Sequence, residues 1–491
     1  MVTAATALKD SALRTLHSQH LFLPTAALVL LGEVALTSLI VLKVPYTEID
    51  YSTYLQQAAL FAQKGVRDYF QITGDSGPCV YPAGHLYLYS LFSLFTSSIF
   101  QAQVVFAVIY VVNLGIVIAL YYHAKAPTVL LPFLALSKRL HSIYALRLFN
   151  DPLAISFLYI SLLLLIRQRW TAAVITFSAA LSIKMNILLF LPALAVVLFR
   201  ALGFNRSLLL AVAFFAFQVL VSLPFTLPSP TTRSHYLQQA FDLSRVFLYK
   251  WTVNWRFVPE SVFLSKDFAR SLLLIHIGLL ASFALYLWTG LSKLGPSWVT
   301  SRWNGPLQSV APISAVTKAQ SPSQRRQLES KFAPSADYIL STFFTANLIG
   351  IICSRSLHYQ FYSWYAHQIP FLLWRAQLPI VVKILLPITI ELAWNTFPST
   401  SASSALLLVS HVILLGGLAA AHAGDALQDE AQLQANAGIQ PTALSSRAST
   451  SLGSSKQNEP ASSSSIGLPQ GGSSRSKKAA KENGGSSKTQ I

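Results

Sequence analysis

The groups best suited to moving protons follow the first long apolar run, in the stretch Lys43-Val44-Pro45-Tyr46-Thr47-Glu48-Ile49-Asp50-Tyr51. In extended backbone Glu48 and Asp50 point to one side, because successive side chains alternate. Such a carboxylate pair is a candidate for acid–base work. Asp50 also stands where it can cap the helix that follows, by accepting a backbone N–H. Capping accounts for Asp50 alone, not for Glu48 or the Pro-Tyr lead. Tyr54, Leu55, Ala58, Phe61 and Ala62 then recur at helical spacing and predict an amphipathic helix lying on a membrane surface. Beyond it come Gly74-Asp75-Ser76-Gly77-Pro78 and Tyr81-Pro82-Ala83-Gly84-His85, where Gly and Pro are dense enough to predict a fixed, tightly turned path. Asp75 either holds one of those turns or meets a substrate. His85 either sits satisfied at the start of the next span or makes such a contact itself.

Further polar groups interrupt apolar sequence downstream. Leu146-Arg147-Leu148-Phe149-Asn150-Asp151-Pro152 sets a cation, an amide and an acid at a span junction, although Asp-Pro also simply starts helices. Lys184 and Asn186 break an apolar run, where a lysine is costly unless it is paired or snorkels, so an anionic partner is expected. The loop 228–267 interleaves Arg233, His235, Arg245, Lys250 and Arg256 with Tyr249, Trp251 and Trp255. Cations among aromatics suit a sugar-phosphate, and equally an aromatic belt at the membrane interface. Arg355, His358, Tyr359 and Tyr362 fall at i, i+3, i+4 and i+7, one face of an expected helix, and form a second candidate phosphate or glycan contact.

The elements that must position these groups are membrane helices. Of 491 residues, 53% are hydrophobic and 11% charged, against about 25% charged in soluble domains. Residues 21–42 hold a single acid, Glu33, and are long enough to cross a hydrocarbon core of roughly 30 Å. They read as a retained span rather than a cleaved signal. Further apolar runs at 104–122, 129–145, 152–166, 172–183, 187–199, 208–227, 272–291, 338–353, 378–394 and 405–421, with an aromatic-rich segment to Trp374, bring the expected count to about twelve spans. The net charge is +18, of which the stretch 424–491 supplies only +2. The remainder lies among the spans, as topology signal and as potential sites for anionic lipid. Apolar spans exclude the nucleic-acid partner that a basic protein otherwise suggests. Basic flanks put residues 1–20 and the Ser/Gln-rich insert 292–337 in the cytosol, with loops 43–85, 146–151, 228–267 and 354–367 on the opposite face. The tail 424–491 is too poor in apolar residues to fold and is expected to be a disordered cytosolic segment. Two cysteines, Cys79 and Cys353, make neither a disulfide framework nor a zinc motif. Ionisable groups that gather at one surface suit an enzyme. A transporter or lipid scramblase, the alternative class, places them at mid-membrane.

Several tracts in order carry a resemblance. Tyr46-Thr47-Glu48-Ile49-Asp50, the pair of turns from Gly74 to His85, Leu146-Arg147-Leu148-Phe149-Asn150-Asp151, and Ser182-Ile183-Lys184-Met185-Asn186 come first. Phe241-Asp242-Leu243-Ser244-Arg245-Val246-Phe247, Tyr249-Lys250-Trp251-Thr252-Val253-Asn254-Trp255-Arg256-Phe257 and Arg355-Ser356-Leu357-His358-Tyr359-Gln360-Phe361-Tyr362-Ser363-Trp364-Tyr365 complete the set. Over 43–370 the chain resembles the dolichyl-phosphate-mannose-dependent alpha-1,3-mannosyltransferases of N-glycan precursor assembly in the endoplasmic reticulum. The resemblance implies an all-α polytopic GT-C architecture with its active site under the luminal loops. It implies dolichyl phosphate mannose as donor and the pentamannosyl dolichyl-diphosphate-linked oligosaccharide as acceptor. A beta-linked donor and an alpha-linked product mean inversion.

An inverting transfer needs one carboxylate to take the acceptor proton, and cations to stabilise the departing phosphate. Asp50 is the candidate base, with Glu48 second. Asp75, His85, Arg147, Asn150, Asp151, Lys184, Lys250, Trp251, Arg256, Arg355, His358, Tyr359 and Tyr362 are candidate substrate contacts. The acidic pair is Glu-x-Asp rather than the Asp-x-Asp of some relatives. With a lipid monophosphate as leaving group, no obligatory metal or other cofactor is expected. The nearest alternative activity is a mannosyltransferase of glycosylphosphatidylinositol assembly, which shares an acidic first loop.

Overall fold

The computed structural model describes residues 19–47, 50–245, 248–289 and 334–436, with side chains to residue 421. Most of the expected N-terminal segment, Glu48, residues 292–333 of the expected insert and most of the expected tail lie outside the described residues. The chain divides into two units, Met1–Leu433 and Gln434–Ile491, and the fold described here is that of the first. It is helical throughout, and the described residues hold a single two-stranded hairpin, β1 (Thr73–Gly74) against β2 (Gly77–Pro78).

Helix α1 (Phe22–Lys43) is the first span. It is followed by α2 (Asp50–Ala62), α3 (Ala83–Phe92) and a long span, α4 (Ile99–His123). The expected span 129–145 is not one straight helix. It forms a 3-10 stretch at Thr128–Leu134 and a second segment at Lys138–Leu146, bent by 49°. Pro132 lies inside the first piece, where it removes a backbone N–H, and Lys138, Arg139 and His141 follow the break. Helices α5 (Asp151–Ile166) and α6 (Trp170–Ile183) come next, then a 3-10 turn at Met185–Phe190 that leads into α7 (Leu191–Leu202). The remaining long helices are α8 (Phe204–Thr226), α9 (Pro230–Ala240), α10 (Lys266–Ser282), α11 (Ala336–Cys353), α12 (Ile380–Asn395) and α13 (Ser401–Asn436).

Among the described residues seven helices are long and apolar enough to cross a membrane, or eight if the bent pair is one span, where about twelve were expected. The difference has physical causes. Helix α5 has 16 residues, roughly 24 Å at 1.5 Å each, and α6 is shorter still. Helix α12 is as short as α5 and carries Lys383, Pro387 and Glu391. Helix α13 runs past residue 424, where the tail was expected to begin, through a sequence rich in Ala, Gln and Leu, all good helix formers.

The core sits around α11, 83% of which is buried, against 22% of α1. A span so lightly packed needs specific anchors. Glu33 of α1 is one of them, because an acid in hydrocarbon requires a partner. Its carboxylate lies 2.7 Å from Nε2 of buried His141, on the bent segment. Helices α5, α6 and α8 are joined by Ser161 Oγ donating to Ala173 O at 2.7 Å and Ser178 Oγ donating to Phe214 O at 2.8 Å. Helix α3 approaches the end of α6 so closely that a Cβ on Gly84 would collide with the hydroxyl and carbonyl of Ser182. That approach, which only glycine permits, brings His85 next to Lys184.

Candidate active site

Four segments far apart in sequence meet here: the start of α3, the start of α5, the turn after α6 and the segment after α11, which the loop after α9 joins through Val253 N–H donating to Leu357 O at 2.8 Å. Their meeting point is a buried polar chain. Asp151 is the first residue of α5, ahead of Pro152, and is wholly buried. Lys184, just past α6 and 7% exposed, donates to Asp151 Oδ2 at 2.6 Å and to Asn150 Oδ1 at 2.9 Å. The Trp364 indole N–H donates to the other carboxylate oxygen. A buried charge is tolerable only when paired and hydrogen-bonded, and Asp151 is both. The Asp-Pro start expected as a plain helix signal is therefore also the partner of the buried lysine.

The chain continues to His85, and here the protonation state can be deduced. An ammonium only donates, so the Asn150 atom facing Lys184 is the oxygen and its NH2 faces His85 Nδ1, at 3.2 Å. Burial, with the Lys184 charge nearby, holds the imidazole well below its ordinary range, so the ring is neutral. Nδ1 accepts, and the proton sits on Nε2. That N–H is buried without a hydrogen-bond partner, and the rings of Tyr81, Tyr89 and Tyr54 surround the imidazole at 4.5, 4.6 and 4.9 Å. A buried donor left open beside a cluster of phenols is suited to a substrate oxygen.

Asp50 opens α2 and is half-buried. It is the first helical residue, where the helix dipole favours an anion. Its field reaches the polar chain: burial, then Tyr81 and Asp50, push the Tyr54 phenol well up, and burial, then Asp151 and Asp50, raise Tyr81. Helix α2 is pinned by Tyr51 Oη, 2.8 Å from Thr96 Oγ1, and by the hairpin, which Asp75 secures. Asp75 Oδ2 accepts from Gln56 Nε2 at 2.6 Å while its N–H donates to Gln56 Oε1 at 2.8 Å. The exposed Asp75 thus fills the turn-holding role. The first loop also meets α9, with Asp68 2.8 Å from His235 Nδ1 and Phe70 stacked on the same ring.

The segment after α11 departs from its expected form. The helix ends at Cys353, and helical turns resume only from 359, as a 3-10 helix over 359–364. The expected α-helical face running from Arg355 through His358 and Tyr359 to Tyr362 therefore does not exist. With three residues per turn, side chains at i and i+3 eclipse. Phe361 and Trp364 accordingly stack at 3.9 Å, which carries Trp364 to Asp151 and sets Phe361 5.7 Å from Lys184 Nζ. Tyr362 stacks on Trp394 instead, and His358 packs beside Tyr359 and Phe361.

The expected phosphate cations divide sharply. Arg355 donates to the carbonyls of Phe263 and Leu264, at 3.3 and 2.8 Å, and so satisfies the end of the short helix Glu260–Phe263. It ties two loops together. Lys184 is held by Asp151. Lys250 is exposed, 5.0 Å from the Trp251 ring, and Trp251 stacks on Phe397. Arg256 lies 4.2 Å over Tyr249 and donates to its carbonyl at 2.9 Å. Arg147 donates to Ser142 Oγ at 3.3 Å. Trp255 has φ of 61°, a left-handed backbone that costs a bulky residue roughly 1–2 kcal/mol, and its indole N–H holds it there through Ser354 O at 2.8 Å. Sequence reasoning missed Arg139, which lies 5.0 Å over the Tyr359 ring. Its only signal was a Lys-Arg pair inside an apolar run.

A family model described as ALG3 protein matches residues 27–404, more than three quarters of the chain. The chain belongs to the ALG3 family. Relatives named Dol-P-Man:Man(5)GlcNAc(2)-PP-Dol alpha-1,3-mannosyltransferase bear this out. The one from Arabidopsis thaliana is 40% identical, covering 80% of this chain and 87% of its own length. Those from Neurospora crassa and Mus musculus are 42% and 41% identical, covering 80% and 79% of this chain and 86% and 85% of their own. Among solved structures, ArnT from Cupriavidus metallidurans bound to undecaprenyl phosphate covers 85% of this chain and 79% of its own, at 14% identity. Its TM-score of 0.33 is too low to bear on fold or ligand. The ALG3 match takes in every described element from Asp50 to Trp364, so the polar chain lies wholly within the family's region.

Proposed function

We propose that the protein transfers mannose from dolichyl phosphate mannose, in alpha-1,3 linkage, to the pentamannosyl dolichyl-diphosphate-linked oligosaccharide. The observation that carries this reading is family membership across the whole site, with relatives of about 40% identity named for that reaction. The architecture is GT-C, the membrane that of the endoplasmic reticulum, the active face luminal and the tail cytosolic.

Asp50 takes the proton of the acceptor hydroxyl as its oxygen attacks the mannose anomeric carbon. The bond from that carbon to the phosphate oxygen breaks, its electron pair leaves with dolichyl phosphate, and the configuration inverts. Glu48 stands second as base. The half-buried position of Asp50, whose charge bears on the Tyr54 and Tyr81 phenols, supports the assignment: the carboxylate lies at the edge of the polar chain and stays open enough to meet an acceptor. The Nε2–H of His85 is available to a sugar hydroxyl. A departing lipid phosphate needs positive charge rather than a proton donor, so arginines meet the need without an obligatory metal.

Microsomes that lack the protein are expected to accumulate the pentamannosyl lipid-linked oligosaccharide, as read by chromatography of the released glycans. A normal precursor with stalled glycosylphosphatidylinositol assembly would instead assign the protein to the anchor pathway.

A further inference from the structure

Half-buried arginines mark a place suited to substrate phosphate. With Lys184 engaged by Asp151 and Arg355 by two carbonyls, Arg139 and Arg256 each keep a buried Nε–H open. Arg139 lies 5.0 Å over Tyr359 and donates through one amino group to Trp394 O at 2.8 Å. Its Nε–H is buried and has no hydrogen-bond partner. Arg256 approaches from the other loop, and its Nε–H is likewise buried and unpartnered. The segment 396–401 lies against both Tyr359 and Arg256: Tyr359 Oη donates to Thr396 O at 2.8 Å and Ser401 Oγ donates to Arg256 O at 3.0 Å, and burial raises the Tyr359 phenol while Ser399, then Arg139 and Arg256, draw it back. The Arg147 charge bears on Arg139 as well. Glu391 bears on Arg139 and offsets part of this positive charge, while its oxygens accept from Ser137 at 3.1 and 3.3 Å and from Asn395 at 2.9 Å, so it leaves the open Nε–H groups unfilled.

Like charges gathered in a partly buried place repel unless an anion joins them. Two open guanidinium N–H groups are the donors such an anion would use. The aromatic floor of Tyr359, Phe397 and Trp251, with ring spacings of 5.5 and 5.9 Å, offers a surface for the adjoining sugar or the first isoprene unit. The short helix 359–364 bears Tyr359 at one end and Trp364, the partner of Asp151, at the other. At about 2 Å per residue the two ends are roughly 10 Å apart.

We propose that Arg139 and Arg256 form the anion site that binds the lipid-linked phosphate of a substrate. This rests on the proposed mannosyl transfer for the identity of the lipid, but not for the existence of the site.

The test uses the full-length protein in lipid nanodiscs and two sugar-free probes, dolichyl phosphate and dolichyl diphosphate. Arg139→Gln is expected to weaken binding of one probe on the order of tenfold or more, with Arg139→Lys recovering part of the loss. Loss for the monophosphate assigns the site to the donor, and loss for the diphosphate assigns it to the acceptor; either supports an anion site. Unchanged binding of both probes by Arg139→Gln and Arg256→Gln, in protein that elutes as wild type, overturns the proposal. If Arg139→Gln does not fold, Arg139→Lys and Arg256→Gln decide the question in the same way. Wild-type protein that binds a probe but transfers no mannose would leave the anion site standing and remove the proposed function.

Discussion

Asp50→Asn is expected to cut the turnover of mannose transfer by roughly 10²–10⁴-fold, the usual contribution of a positioned general base. Folding should be unaffected. Asparagine nearly matches aspartate in size and still suits the start of a helix, so α2 keeps its first turn. Tyr51 to Thr96 and Asp75 to Gln56 continue to pin the helix, since neither contact involves Asp50. Donor KM should change little, because the carboxylate acts on the acceptor hydroxyl. The readout is steady-state transfer by purified protein, with elution profile and thermal midpoint as controls. A variant that retains most of its turnover would move the base elsewhere, with Glu48 the first to test.

Lys184→Met is expected to act on the fold itself. It leaves Asp151 wholly buried with its ionic partner gone and only the Trp364 indole and its own helix start to support it. Removing one partner of a buried pair costs roughly 3–5 kcal/mol, a large share of the stability of a typical domain. The expected result is a sharp fall in the yield of monodisperse protein and in its thermal midpoint. The double variant Lys184→Met/Asp151→Asn should recover much of that loss, because no uncompensated charge remains. Recovery of stability without recovery of transfer would show that the pair also serves the reaction. A single variant as stable as wild type would mean that the pair is not the linchpin the geometry describes.

Much of this arrangement was legible in the residues. The first span, the helix from Asp50 and the bend at the turns before His85 all follow from apolar runs, spacing and Gly/Pro density. Lys184 announced itself by cost alone, since a lysine in an apolar run needs an anion, and Asp151 was already marked as a candidate. What could not be read was the pairing between them. It depends on α5 and α6 packing so that the start of one meets the end of the other, a tertiary contact with no local signature. The face expected from Arg355 to Tyr362 failed for a related reason. Spacings of three and four fit an α-helix, but the backbone there tightens to three residues per turn, which redirects Trp364 inward to Asp151. Arg355 looked like a phosphate ligand because sequence shows charge and not the carbonyls of Phe263 and Leu264 that engage it. Arg139 was hidden inside what reads as one span and is in fact two bent pieces.

The linkage and anomeric configuration of the product decide the activity. Purified protein given dolichyl phosphate mannose and the pentamannosyl dolichyl-diphosphate oligosaccharide should add a single mannose. That residue should be released by an alpha-1,3-specific mannosidase and resist a beta-mannosidase. Active, well-folded protein that adds no hexose, or whose product carries another linkage or the beta configuration, would contradict the account.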